Sequence, residues 1–156
     1  MRLVRAALLL GAALLPLAAT AQTAAPVATA VKPIAYTERT LANGLRVYAL
    51  RDTSTPNVAV QVWYDVGSKD DPKGRSGFAH MFEHLMFKAT RRRASGEFSK
   101  IVARNGGRDN AFTSYDYTAY YQRVAADRLE LMMKMESDRM VNLQLDESVI
   151  ATERDV

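Results

Sequence analysis

The protein has 156 residues, 48% of them hydrophobic and 24% charged, the balance of a globular chain rather than a disordered one. It contains no cysteine, which excludes a disulfide scaffold, a thiolate zinc site, a cysteine nucleophile and a lipidated cysteine anchor. The net charge of +4 falls to +2 without Met1–Ala21, which holds Arg2 and Arg5 and no acidic residue, so no strong field favours nucleic acid and no such partner is expected.

Arg2 and Arg5 form a positive start, Ala6–Ala18 is a short apolar run, and Ala19-Thr20-Ala21 is a small-x-small cleavage pattern. Residues 1–21 are therefore predicted to be a signal peptide removed before Gln22, with export to a bacterial periplasm or the cell exterior. No stable membrane span is expected after cleavage: a span needs about 20 apolar residues, and this run is shorter and broken by Pro16. Residues 22–35, rich in Ala, Thr and Pro, read as a flexible leader. One domain is expected over residues 36–156.

Tyr36–Thr40 and Leu45–Leu50 flank Asn43-Gly44, a strong hairpin signal. Asn57–Val66 alternates as a third strand, and Gly67–Gly77 reads as a loop. Ser76 is expected to cap a helix reaching about Phe87, and Ser95 a second helix reaching about Asn105, with Phe98, Ile101 and Val102 as its apolar stripe. Gly106-Gly107 ends that helix. The Thr, Tyr and Phe of Asn110–Val124 predict a strand or a hairpin pair. A third helix follows over Asp127–Leu143, and Asp146 caps a fourth that is still running at Val156. Strands and helices in this order predict an α+β fold, an antiparallel sheet with helices packed on it.

The chemistry concentrates in one helix. His80-Met81-Phe82-Glu83-His84 places the chain's only two histidines four residues apart, a spacing that two residues reach in roughly 1% of random placements. Residues at i and i+4 share a helix face and are near enough to share a tetrahedral cation. At about 100° per residue, with Phe78 at zero, Phe82 and Leu85 fall near zero while His80, Glu83, His84 and Phe87 fall between about 140° and 240°. The apolar stripe is thus expected on the core and the polar trio on the opposite face. Zinc so bound acidifies a water toward a pKa of about 7, and a neighbouring carboxylate can take the proton as general base. The alternative is a pair of surface histidines on an amphipathic helix.

His80-x-x-Glu83-His84 is the inverted zinc motif, and the surrounding sequence resembles the insulinase/pitrilysin (M16) peptidase family. The resemblance runs through Leu41–Leu45, Gly67-Ser68, Gly77–His80, Glu83–Phe87, Gly106-Gly107, Asn110–Thr113 and Asp116–Tyr121 to Glu153-Arg154. It implies a zinc-dependent endopeptidase acting on peptides or small proteins, with His80 and His84 as ligands and Glu83 as the base. It makes Glu153 a carboxylate that supports a ligand from behind. Asn110, Ala111, Phe112 and Thr113 correspond to an edge strand that pairs with an extended substrate. The family's α+β domain is normally repeated in a longer chain, which implies a second domain or subunit of the same kind. Its third ligand, a glutamate about two helical turns after Glu153, would fall beyond Val156. The 156-residue chain by itself is accordingly expected to bind zinc weakly and not to cleave peptides. The rival readings are a non-catalytic partner subunit, an inactive fragment and a basic nucleic-acid module.

Other features have plainer readings. Arg91-Arg92-Arg93 is a solvated loop, and Tyr115, Tyr117, Tyr120 and Tyr121 are sheet-face packing. Leu129, Met132, Met133, Met140 and Leu143 recur at helical spacing and are expected in the core. Glu136 falls inside that stripe and needs a partner, Arg139 at i+3 or another basic residue. A role for Glu136 as the third metal ligand is the alternative.

Overall fold

The computed structural model describes residues 32–154. The expected signal peptide, most of the leader and the last two residues lie outside that range. Among the described residues no helix is long and apolar enough to cross a membrane. The chain divides into two compact units between Leu50 and Arg51.

The first unit holds the hairpin of β1 (Thr37–Thr40) and β2 (Arg46–Ala49), paired antiparallel with Thr40 opposite Arg46. Its turn differs from the two-residue type that Asn-Gly usually signals. The Gly44 N–H donates to the Leu41 carbonyl at 2.9 Å and the Leu41 N–H to the Leu45 carbonyl at 2.8 Å. Only Gly44 has positive φ, +85°, so Ala42-Asn43 make an ordinary turn and Gly44 supplies the left-handed residue of a bulge. The Asn43 side chain accepts from the Leu45 N–H instead of entering the left-handed region.

The second unit is an α+β domain. A three-stranded antiparallel sheet runs in the order β3 (Asn57–Tyr64), β5 (Thr118–Ala125), β4 (Arg108–Thr113). Asn110–Val124 therefore resolves as a hairpin pair, closed by Ser114 N–H to the Tyr117 carbonyl at 2.8 Å. Period-two alternation sorts the side chains. Val58 faces Val124, Val62 and Ala111 flank Tyr120, and Gln122 faces Val60 and Asp109 on the inner side. The helices α1 (Phe78–Leu85), α2 (Glu97–Arg104), α3 (Leu129–Asn142) and α4 (Glu147–Arg154) complete the unit. The main apolar cluster joins Phe98 and Val102 of α2, Val124 of β5 and Met132 and Met135 of α3. Each such side chain contributes about 1.5–3 kcal/mol by leaving water.

The tyrosines divide. Tyr120 is buried on the inner face, whereas Tyr115, Tyr117 and Tyr121 are exposed. Tyr117 packs with Trp63 at 4.9 Å between ring centroids and with Phe112 at 6.0 Å. Burial raises the Tyr120 phenol well above its ordinary range.

Three expectations about helices are corrected. The N-cap of α1 is Gly77, not Ser76, and no side chain of that residue caps it. The Asp71 carboxylate does so from the preceding loop, accepting from the Gly77 and Ala79 N–H groups at 2.8 Å each. That loop includes a single 3-10 turn at Ser68–Asp70. It is held against the β4–β5 turn by Ser68 N–H to Ser114 O and Lys69 N–H to Tyr115 O, both 3.0 Å. The approach requires glycine at 67, where an added Cβ would stand 2.6 Å from the Ser114 carbonyl oxygen. For α2 the N-cap is Gly96 rather than Ser95, and Glu97 reaches back to the Ala94 N–H at 2.9 Å. The expected cap at Asp146 is present: its carboxylate accepts from Val149 N–H at 2.9 Å.

The third correction concerns α3. Leu129, Met133 and Met140 are exposed, and Leu143 is half-buried. The buried face is Met132, Met135, Glu136, Asp138 and Arg139. Charged groups occupy it because each has partners there. Arg139 bonds Glu136 at 2.5 Å and 3.1 Å, Gln122 also donates to Glu136, and the guanidinium lies 4.4 Å from the rings of Phe98 and Tyr120. The Asp138 carboxylate accepts from Thr90 Oγ1 and Arg93 Nη1 at 2.6 Å and from Asn142 Nδ2 at 2.8 Å. Burial opposes its ionisation, but Thr90, Asn142, Arg93 and Arg92 outweigh that and hold the carboxyl below its ordinary value. The arginine run is thus only partly solvated: Arg91 and Arg92 are exposed, while Arg93 ties its loop to α3.

Candidate metal centre

Helix α1 carries His80, Glu83 and His84, and its N-terminus is set by Asp71 and the loop anchored at Gly67. The two imidazole rings stand 4.7 Å apart, nearly perpendicular at 82°. His80 is exposed and His84 half-buried. His84 Nδ1 meets Glu153 Oε2 of α4 at 3.2 Å, and Lys88 Nζ donates to the other oxygen, Oε1. The Lys88 ammonium, against the cost of burial and with help from His84, keeps the Glu153 carboxyl below its ordinary value. An ionised carboxylate only accepts, so in the neutral imidazole Nδ1 is the donor and Nε2 keeps a lone pair for a cation.

The helix is turned differently from the expectation drawn from its apolar residues. Ala79, Glu83 and Leu85 are buried, whereas Phe78 and Phe82 are exposed. The two phenylalanines meet edge to face at 5.0 Å between centroids and line an apolar cleft with Tyr64, Met86 and Tyr120. Glu83, 8% exposed, tolerates burial because Thr113 Oγ1 of β4 donates to its Oε2 at 2.5 Å. The histidines and the glutamate therefore do not share one solvent face. The glutamate points inward to the sheet and the histidines flank it toward solvent.

A cavity of ≈480 Å³ opens here, with Glu83, His84, Phe87, Lys88, Asn110 and Glu153 in its wall. The structure thus brings His84, Glu83, Glu153, Asn110 and Thr113 into one neighbourhood from α1, α4 and β4. The other two residues of the expected substrate strand fall elsewhere. Ala111 is buried under the sheet, and Phe112 packs 5.8 Å from Trp63 on the outer face. Among the described strands β4 pairs only with β5, which leaves one edge for another strand. On that strand the Ala111 N–H is held by the Asn110 side chain at 2.9 Å. Thr113 as the holder of Glu83, Lys88 as a partner of Glu153 and Asp71 as the helix cap were not singled out by sequence reasoning. Only Asp71 carries a signal there, an acidic residue shortly before a helix start.

The donor set fits zinc as a partial site. Two imidazole nitrogens with an orienting carboxylate behind one of them are a common arrangement in zinc proteins. Among the described residues no three His, Cys, Asp or Glu side chains form a cluster able to hold an ion.

Comparison with known proteins agrees with the fold. The chain is 42% identical over 118 residues to the zinc protease PqqE of Helicobacter pylori, an alignment covering 75% of this chain and 27% of that protein. It is 37% identical over 116 residues to human mitochondrial cytochrome b-c1 complex subunit 1, covering 74% and 24%. A crystal structure of a protease from Helicobacter pylori superposes with a TM-score of 0.75 at 39% identity, over 78% of this chain and 29% of that one. Pitrilysin superposes at 0.70 with 26% identity, over 77% and 13%. The chain spans about a quarter of the length of the curated relatives it matches. Residues 46–156 match the family model described as insulinase, peptidase family M16, and the chain belongs to that family.

Proposed function

We propose that the protein carrying this chain is a zinc-dependent endopeptidase, with His80 and His84 as metal ligands and Glu83 as general base. The observation that carries the reading is the placement of Glu83 between the histidines and β4, with Thr113 fixing one of its oxygens. Bound zinc would supply Lewis-acid polarisation of the scissile carbonyl and an acidified water. The chain's own residues do the rest. With Oε2 taken by Thr113, Glu83 receives the water's proton on Oε1 and passes it to the leaving amine. Glu153 holds the His84 ring at Nδ1 and so leaves Nε2 for the cation. The free edge of β4 aligns an extended peptide by its backbone, with Thr113 on the inner face beside Glu83 and Asn110 and Phe112 on the outer face, Asn110 at the cavity rim. For that pairing the Asn110 side chain must release the Ala111 N–H.

A glutamate following Glu153 by about two helical turns is proposed as the third ligand, on the strength of the family resemblance. A second M16-like domain or subunit is proposed as partner, because relatives matched by this chain are about four times as long. The rival reading is a non-catalytic subunit, favoured by the relative named as a subunit of the cytochrome b-c1 complex. The intact protein, assayed on fluorogenic peptides, should lose hydrolysis on dialysis against a zinc chelator and regain it with zinc. A zinc-free protein inert to every peptide would favour the subunit.

Export is proposed on the sequence pattern of residues 1–21. Mass spectrometry of the protein from its native host should find Gln22 at the N-terminus. A membrane-retained form that begins at Met1 would refute it.

A further inference from the structure

Two residues grip Glu153, and only one of them belongs to the zinc motif. His84 and Lys88 stand four residues apart, so both reach the same point on α4 from α1 and the turn after it. The Glu153 side chain is 10% exposed and that of Lys88 25%, whereas His84 remains 42% exposed. A carboxylate so far from water needs a counter-charge, and the half-exposed imidazole is a weaker anchor than an ammonium.

We propose that Lys88 is a positioning residue of the metal centre: it pins one oxygen of Glu153 so that the other is held against His84 Nδ1 and aims Nε2 at the metal. The proposal rests on the reading of His80 and His84 as ligands. The geometry supports it in three ways. A carboxylate has two oxygens in one plane, so fixing Oε1 on Lys88 Nζ fixes the direction of Oε2. The bond of Lys88 to Oε1 also restrains Glu153 within the cavity wall, where both residues sit. Finally, Lys88 lies in the turn after α1, which is tied to α3 by Thr90 bonding Asp138 at 2.6 Å and to the segment after α3 by Ala89 O accepting from Gln144 N–H at 2.8 Å. The ammonium is therefore presented from a braced segment, and no loop movement is needed to bring it to Glu153.

The inference separates from a purely structural role by coupling. If Lys88 acts through Glu153, removing either should have the same consequence for the metal and removing both should add little. In the intact protein, Lys88→Met, Glu153→Gln and the double variant should each raise the zinc dissociation constant about 10–100-fold, the range for partners that orient a ligand. Lys88→Arg, which keeps a charged donor, should stay near wild type. Cobalt-loaded Lys88→Met should show altered d–d bands while its thermal midpoint stays close to that of Lys88→Arg. If Lys88→Met fails to fold, Lys88→Gln serves in the same cycle. An unchanged zinc constant in the Lys88 variant, with binding lost in His84→Ala, would overturn the proposal and leave the metal site standing. Additive losses in the double variant would also overturn it. Unchanged zinc binding in His84→Ala would overturn the ligand assignment on which both depend.

Discussion

In the intact protein, Glu83→Gln should retain zinc and lose peptide hydrolysis by about 10²–10⁴-fold, the usual contribution of a general base. The amide is nearly isosteric with the carboxylate and can still accept from Thr113 Oγ1, which the structure places 2.5 Å from Glu83 Oε2. The buried neighbourhood of α1 and β4 should therefore persist. What disappears is the ability to take a proton. Steady-state kinetics should show the loss mainly in kcat, because the chain positions peptide through β4 and not through Glu83. Release of zinc from the variant would instead make Glu83 a ligand. Full activity would remove it from the chemistry.

The largest stability effect is expected inside the domain, at α3. Glu136→Leu alone should destabilise by about 3–5 kcal/mol, the cost of leaving one member of a buried ion pair without its partner. Arg139 is 1% exposed, and without Glu136 its charge would be left among the rings of Phe87, Phe98 and Tyr120. Replacing both, as Glu136→Leu with Arg139→Met, should recover much of the loss, since an apolar pair of similar volume needs no counter-charge. Urea denaturation of the wild type and the two variants measures this. Equal losses in the single and double variants would mean that the aromatic contacts of Arg139, rather than its pairing with Glu136, sustain the helix.

The buried charge pair also shows where sequence patterning stops. Spacing alone put Leu129, Met133 and Met140 in the core, because hydrophobicity was the only available guide to the face of α3. The helix buries Met132 as expected but turns toward Met135, Glu136 and Arg139, since a paired guanidinium packed against rings can be buried as well as a leucine. The need of Glu136 for Arg139 was legible, at i+3. The same failure occurred in α1, where apolar Phe78 and Phe82 marked the wrong face and a buried Glu83 was unforeseen. That burial depends on Thr113, thirty residues away on another strand, and no local pattern carries such a contact. Alternation in β3, the Gly-rich stops and the Asp146 cap are local signals, and those elements matched. The i, i+4 histidines were legible for the same reason, while Lys88 and Asp71 depend on contacts between elements.

The central claim is that His80 and His84 together bind zinc. Zinc titration of the intact wild-type protein, of His80→Ala and of His84→Ala tests it most directly. Wild type should take up zinc tightly at a single site per chain, and each variant should lose that binding while retaining its fold by circular dichroism. Wild-type zinc affinity in either variant would contradict the account.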